Sequence, residues 1–286
     1  MNARSKNLLD GHEAAKKRMA ESALRVERIR ETGGERLALA TIQVGHAKDT
    51  ELYAASIGKL LAKAGIDHVP SVSPEKISQE ELVAKIQAFN DDPLVTGILV
   101  FAPLPAHLHA ASVLNAVDLL KDVEGRRVLN GNGRRVLSPT AEAVMALLEE
   151  TGEDLTGKEA VVVGHSDIVG KPVAILLLDR YATVTVCHVK TRDLRAHVER
   201  ADIVVAAAGK PNLIKGAWVK PGATVIDVGE NWVAGKLCGD VEFEAARERA
   251  AFISPVPGGV GPVTNAMLVR NLLKLYDLRK EADGNL

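Results

Sequence analysis

Cysteine is nearly absent: the 286 residues hold two, Cys187 and Cys238, far apart and without the spacing of a metal site. Each reads as a small side chain for a core, not as a ligand or half of a disulfide. A reducing, cytoplasmic setting is the expectation. An excess of one charge is missing too, since 36 basic residues face 37 acidic ones. That balance leaves no basic face for nucleic acid or an anionic membrane. Although 47% of the residues are hydrophobic, no apolar run approaches the ~18 residues of a membrane span. The opening stretch MNARSKNLLDGHEAAKKRMA lacks the apolar core, about 7–15 residues long, of a secretory signal. Repeats and low-complexity blocks are also missing. The length suffices for two ordinary domains, each with its own core.

What is present is organised around Glu159–Pro172, EAVVVGHSDIVGKP. Ala160–Val163 is a short apolar, β-branched run that suits a strand buried on both faces. Gly164 to Gly170 turn the chain. Pro172, followed by Val-Ala-Ile-Leu-Leu-Leu, fits the first turn of a helix, where a missing N–H costs nothing. Strand, glycine turn and helix N-terminus make an anion site, because free amides and the positive helix end point the same way. The pattern falls short of G-x-G-x-x-G: Ser166 stands at the second glycine position and could offer a hydroxyl instead. Alone, the stretch reads equally as a plain strand-to-helix turn. Three more buried-type strands follow at helix-spaced intervals: TVTVC (Thr183–Cys187), DIVVAAA (Asp202–Ala208) and ATVIDV (Ala223–Val228). That is the βαβ rhythm of an open parallel sheet, which strengthens the dinucleotide reading.

Upstream, Asp10–Thr32 predicts an amphipathic helix stopped at Gly33-Gly34. Leu37–Val44 reads as a strand. A helix capped by Asp49 or Thr50 then runs to Lys63, with Gly65 as its stop. An extended piece lies around Val69–Val72, and Ser78–Phe89 is helical, with Glu81 at capping-box spacing from Ser78. Gly97–Phe101 is a buried strand running into Ala102-Pro103-Leu104-Pro105, an extended loop at the strand end where open α/β sheets place ligands. A helix over Ala111–Leu120, a loop over Asp122–Arg135 and a connecting helix over Thr140–Glu150 follow. Ser254–Pro262 is a rigid glycine–proline loop. A last helix from Thr264 to about Arg279 returns to the first domain, ahead of a frayed tail to Leu286.

Several motifs occur in one order and spacing: Leu9-Asp10-Gly11, Tyr53 after the Val-Gly turn, PLP at 103–105, DVEG at 122–125, VVVGHSDIVGKP, VIDVG at 225–229, GDV at 239–241 and PVPGGVGP at 255–262. Together they resemble the methylenetetrahydrofolate dehydrogenase/cyclohydrolase family over nearly the whole chain. The resemblance implies an α/β fold with an N-terminal substrate domain (residues 1–142, completed by 264–286) and a C-terminal Rossmann domain (143–263) with a doubly wound parallel sheet. It places the folate in the cleft between them and implies a homodimer. It assigns substrate binding to Tyr53, Val100, Phe101, Leu104, Glu124 and Pro257, Gly258, Gly259, Val260, Gly261, with Tyr53 and Glu124 as the catalytic positions that remain. It assigns the cofactor to Gly164, His165, Ser166, Ile168, Val169, His188, Val189, Gly209, Gly229 and Glu230. No metal is implied.

The departures from the pattern carry as much information. The family's Tyr-x-x-x-Lys reads Tyr53-Ala-Ala-Ser-Ile57, so the acid–base lysine is an isoleucine. GILVQLPLP reads GILVFAPLP, with Phe101 for the glutamine that tunes that lysine. The aspartate of DVDG, which takes the pterin's amino-pyrimidine edge, is Glu124. Pro-Cys-Thr-Pro reads Ser138-Pro-Thr-Ala141, and the isoleucine after VIDVG is Glu230. Lys59 is no substitute: two positions past Ile57, it lies roughly 200° further round the helix. By itself, Tyr53 with Ile57 reads as a plain core pair, and Lys59 as a solvated charge. Hydride transfer from the one-carbon bridge to NAD or NADP asks mainly for orientation. Hydrolysis of the methenyl cation needs a titratable group, and Ile57 and Phe101 offer none. The expectation is a dehydrogenase with cyclohydrolase activity lost or very weak. A dehydrogenase of another imine or aminal, and a non-catalytic folate- or nucleotide-binding homologue, stay open. His165 and Val189 stand where NADP-using relatives hold the 2′-phosphate, so the balance leans to NAD, although Lys190 and Arg192 could reach a phosphate.

Overall fold

The computed structural model describes residues 7–126, 136–282 and 284. The expected loop over 122–135 lies outside the described residues from 127 onward, as do 283 and 285–286 of the expected tail. The chain forms two compact units. One is built from the chain up to Lys17 and from Leu137–Met267, the other from Arg18–Val136 and from Leu268 onward. Each is built on a parallel sheet flanked by helices, the α/β class expected. No helix among the described residues is long and apolar enough to cross a membrane.

The smaller sheet has β1 (Ala38–Val44) at its centre, with β2 (Asp67–Ser73) and β3 (Gly97–Val100) on either side, all parallel. Side chains alternate across a strand, so its two faces fill separately. On one face Leu39, Leu99 and Phe101 pack against Ile57 and Leu61 of α2 (Lys48–Ala64), Val26 of α1 (Gly11–Glu31) and Leu268–Leu275 of the last helix. On the other, Ala40, Ile42, Ile98 and Val100 meet Leu82 and Ile86 of α3 (Gln79–Asp91) and Val113 of α4 (Ala110–Asn115). The Ser78–Glu81 capping box forms as expected, with both reciprocal bonds at 3.0–3.1 Å.

Two local expectations in this unit need correction. Ala47, not Asp49 or Thr50, holds the N-cap position of α2, without a side-chain cap bond. A His46 Nδ1–Glu51 Oε1 contact of 2.9 Å ties the preceding loop to the first turn instead. The stop at Gly65, left-handed at φ 75°, is as expected. α4 ends at Asn115 and does not reach Leu120: the Asn90 amide donates to Ala116 O at 2.8 Å and accepts from Asp118 N at 2.9 Å, holding the chain out of the helix.

The larger sheet runs β10 (Phe252–Ile253), β7 (Thr224–Asp227), β6 (Ile203–Ala206), β4 (Glu159–Val163), β5 (Thr183–Cys187), all parallel. A separate antiparallel hairpin joins β8 (Asn231–Val233) to β9 (Lys236–Cys238). Beyond β10 the N-terminal segment extends the edge: Ile253 N donates to Asn7 O, and Leu9 N to Ile253 O, each at 2.9 Å. α5 (Pro139–Glu149) and α6 (Gly170–Leu178) pack together, α5 touching β7 and α6 touching β4 and β5. α7 (Leu194–Arg200) and α8 (Phe243–Arg247) close the opposite face through Val198 and Ala246. β5 is not a buried strand as its sequence suggests, for only Cys187 of its five residues is fully covered. It occupies the sheet edge, so half its surface has no neighbour. α9 (Val260–Ala282) begins four residues before the expected Thr264. Pro262 does not delay it, because the first turn has no use for its missing N–H.

Candidate active site

The larger sheet reverses its strand order between β4 and β6: the chain goes outward to β5, then crosses back to β6. Ligands of open α/β sheets sit outside the strand ends at that point. Here Gly164 (φ 127°) follows β4, and a Cβ on it would come within 2.1 Å of Ala207 O beyond β6. A Cβ on Gly170 would meet Gly164 O at the same 2.1 Å. Only two residues without side chains let the turn close this far. Ser166 Oγ accepts from Val169 N at 3.2 Å at the mouth of α6, so its oxygen is partly used in capping. Among the described residues, no backbone carbonyl takes the amides of residues 165–168. They are free to bond an anion at a positive helix end, and the cradle fits a dinucleotide phosphate.

The other cofactor positions surround this turn. The His165 and His188 rings lie 5.2 Å apart, at the ends of β4 and β5. Val189 is 93% exposed, in a turn where Lys190 N donates to His188 Nδ1 at 3.1 Å. Ile168 is exposed, and its carbonyl accepts from Ser138 Oγ. Lys171 pairs with Asp167, which holds that carboxyl below its usual range. Gly209 (φ 63°) and Gly229 follow β6 and β7, and each gives its amide to a buried aspartate. Glu230 is exposed, with its Oε1 3.2 Å from where a Cβ on Gly261 would stand. Pro257–Gly261 and Asp227–Glu230 thus meet, leaving about 10 Å³ between them, room for one water at most. The peptide before Pro257 is cis, as is that before Pro103. Gly11 N donates to Gly258 O at 2.8 Å, and a Cβ on Gly11 would fall 1.7 Å from Gly259 O. Gly11 is therefore fixed by this loop, a constraint visible in the sequence only as part of the Leu9-Asp10-Gly11 motif.

In the smaller unit the predicted substrate residues divide between the two faces of the sheet. Tyr53, 43% exposed, sets its ring edge-on to Phe101 at 5.5 Å and 67°. Ile57, one turn on, has no exposed surface. Lys59 is exposed, as helix geometry predicts. Val100 lies on the opposite face, in a core that Leu104 also packs against. Leu104, with Gly45, His46, Ala47, Glu75, Pro103 and Pro105, lines a cavity of about 510 Å³ at the strand ends. Glu124 stands apart, held by Arg126, whose Nε donates to Oε2 at 2.9 Å and whose Nη2 makes a second bond. Burial raises the Glu124 carboxyl above its usual range against the pull of that guanidinium, although 23% of the side chain stays accessible. Asp122 fixes the turn by accepting from Glu124 N and Arg126 N at 3.1 and 2.9 Å. Arg126 was missed in the sequence, where it is one of several arginines in a glycine-rich stretch.

Comparison with known proteins identifies the family. Residues 9–124 match the catalytic domain of tetrahydrofolate dehydrogenase/cyclohydrolase, and residues 138–280 match its NAD(P)-binding domain. The chain belongs to the tetrahydrofolate dehydrogenase/cyclohydrolase family. Bifunctional protein FolD 2 of Geobacter sulfurreducens is 48% identical over 273 residues, 93% of this chain and 95% of that one. The bifunctional FolD structure from Campylobacter jejuni is 40% identical with a TM-score of 0.92, covering 95% of this chain and 99% of its own. A Trypanosoma brucei FolD structure in complex with NADP and an inhibitor is 38% identical with a TM-score of 0.90, over 95% and 97% of the two chains. As a tetrahydrofolate dehydrogenase/cyclohydrolase family member the chain is an oxidoreductase with an NAD(P)-binding domain.

Proposed function

We propose that the protein oxidises 5,10-methylenetetrahydrofolate to the methenyl cation and does not effectively hydrolyse that product. The observation that carries this reading is the burial of Ile57 against Phe101, Leu61 and Leu99, where the resemblance expects a lysine and its glutamine. A nicotinamide cofactor held by the larger unit would supply the hydride acceptor. The chain's own residues bind and orient: Gly164–Gly170 take the phosphates, and Tyr53, Leu104 and Glu124 hold the folate. Val100 acts through the core beneath Leu104. No proton has to leave in this step, so placement lowers the barrier by several kcal/mol without an acid or base. Addition of water to the cation does move protons, and such assistance is commonly worth ~10²–10⁴-fold. The apolar pair supplies none, and Lys59 is on another side of α2. NAD is used at least as well as NADP, because Val189 has no donor for a 2′-phosphate. By family resemblance the protein works as a cytoplasmic homodimer.

The test mixes purified protein with methylenetetrahydrofolate and either cofactor, following reduced cofactor and methenyl absorbance together. Equal accumulation of the two is expected, with methenyl decay no faster than in buffer at a pH where spontaneous hydrolysis is slow. Enzyme-dependent decay at catalytic rates would show that another group moves the protons. Folate binding without reduced cofactor would favour a non-catalytic role.

A further inference from the structure

Two buried carboxylates in the larger unit serve no step described above. Asp240 has no exposed surface. Its Oδ2 accepts from Ala208 N at 2.6 Å and Gly209 N at 2.9 Å, and its Oδ1 from Lys210 N at 2.8 Å and Asn231 Nδ2 at 2.9 Å. Asp227, 2% exposed at the end of β7, accepts from Gly229 N and Asp240 N at 3.0 Å and from Val241 N at 2.9 Å. Its own amide donates to Ser254 Oγ at 2.8 Å, at the entry to Pro255–Gly261. The approach is close: a Cβ on Gly239 would stand 1.9 Å from Asp227 Oδ2, and one on Gly229 2.3 Å from Asp240 Oδ1. Among the described residues neither aspartate has a basic side chain for a partner.

Carboxylates are seldom buried without a cation, because desolvation is costly and amide bonds only partly offset it. Every bond here goes to the loops after β6 and β7 or to the turn that carries Asp240 itself, except for one to Asn231. A stability role alone would be met more cheaply by apolar packing. What the arrangement does achieve is to fix three consecutive residues, Ala208–Lys210, across the reversal point from Gly164. In a sheet of this order the adenosine half of a dinucleotide lies on the β4–β5 side, and the second mononucleotide on the β6–β7 side.

We propose that Asp240, backed by Asp227, is a positioning residue for the nicotinamide half of the cofactor, holding the Ala208–Lys210 loop as the wall for that half alone. This rests on the dinucleotide reading of the unit. The test is direct binding by the full-length protein and by Asp240→Asn, with NADH as one probe and 5′-AMP, which reports the adenosine half only, as the other. One of the two oxygens that face amides becomes a donor in the variant, so NADH should bind about 10–100-fold more weakly. Affinity for 5′-AMP should stay within about twofold. A general structural defect would weaken both probes together, and that result, like unchanged NADH binding, overturns the proposal. Asn231→Ala removes one neutral donor and keeps the test available if Asp240→Asn does not fold; its loss should be smaller and again confined to NADH. If the unaltered protein binds neither probe, the dinucleotide reading itself fails and the proposal goes with it.

Discussion

Restoring the missing pair at 57 and 101 tests the reasoning about hydrolysis most directly. Ile57 is fully covered and Phe101 keeps 6% of its surface, so each single change costs stability for a different reason. Burial lowers a lysine's pKa by up to ~3–5 units, or about 4–7 kcal/mol at 1.36 per unit. A lysine stem can lean toward solvent beside the exposed Tyr53, which reduces the expected cost of Ile57→Lys to about 2–4 kcal/mol. Phe101→Gln loses a packed ring and its edge contact with Tyr53, for about 3–5 kcal/mol. In the double variant the glutamine oxygen accepts from the ammonium, and a charge-assisted bond is worth about 1.5–3 kcal/mol. The double variant should therefore be more stable than the sum of the singles by that amount. Urea unfolding of the four proteins at low temperature measures the coupling. Methenyl decay measured on the same samples should rise above the buffer rate only in the double variant. Additivity within about 0.5 kcal/mol would mean that the two side chains do not meet, and the argument from Ile57 and Phe101 would collapse.

Other expectations are more local. Val189→Arg should shift the ratio of kcat/KM for NADP over NAD upward by at least tenfold, since one charge-assisted phosphate contact is worth about 1.5–3 kcal/mol; a tenfold preference for NADP in the unaltered protein would contradict the assignment. Gly164→Ala should abolish measurable NADH binding, because its Cβ would lie 2.1 Å from a backbone oxygen at φ 127°; full binding by a folded variant would exclude Gly164 from the cradle. Desolvation by burial raises Asp227 from 3.8 to about 7 despite its amide donors. The folded state then keeps a proton that the unfolded state has released, so this contribution is fully present below pH ~4 and lost as pH climbs through ~7. Its size is at most about 4 kcal/mol, and subtracting the stability–pH curve of Asp227→Asn should isolate it; parallel curves would rule it out.

What the sequence disclosed and what it hid divide along the range of the interactions. The strand at Ala160–Val163, the Ser78–Glu81 box and the Gly65 stop depend on residues a few positions apart, and the pattern reads directly. The end of α4 depends on Asn90, more than twenty residues upstream, and no local signal reports it. β5 looks like its neighbours because an edge strand is defined by topology, not by composition. Pro262 reads as a breaker, yet a first turn accepts it. Among the site residues, Gly164 and Gly170 were legible because only glycine satisfies such a turn. Asp227 and Asp240 stood inside the motifs without a role, because Asp240 holds a loop about thirty residues upstream and Asp227 holds the turn that carries Asp240. Arg126 was one arginine among several until the turn set by Asp122 brought it onto Glu124.

The last helix has a consequence for how the chain comes into being. The core over α2 needs Leu268–Leu275, which follow β1, β2 and β3 in translation only after the whole run from β4 to β10. The strands β1, β2 and β3 therefore leave the ribosome long before the side chains that cover one of their faces exist. Through that interval Leu39, Leu99 and Ile57 have no complete partner surface, and exposed apolar strands of this kind are open to wrong association. The larger unit meets no such delay, since β4 to β10 and their helices emerge in one run. Of the two units, the one whose strands emerge first is the one completed later.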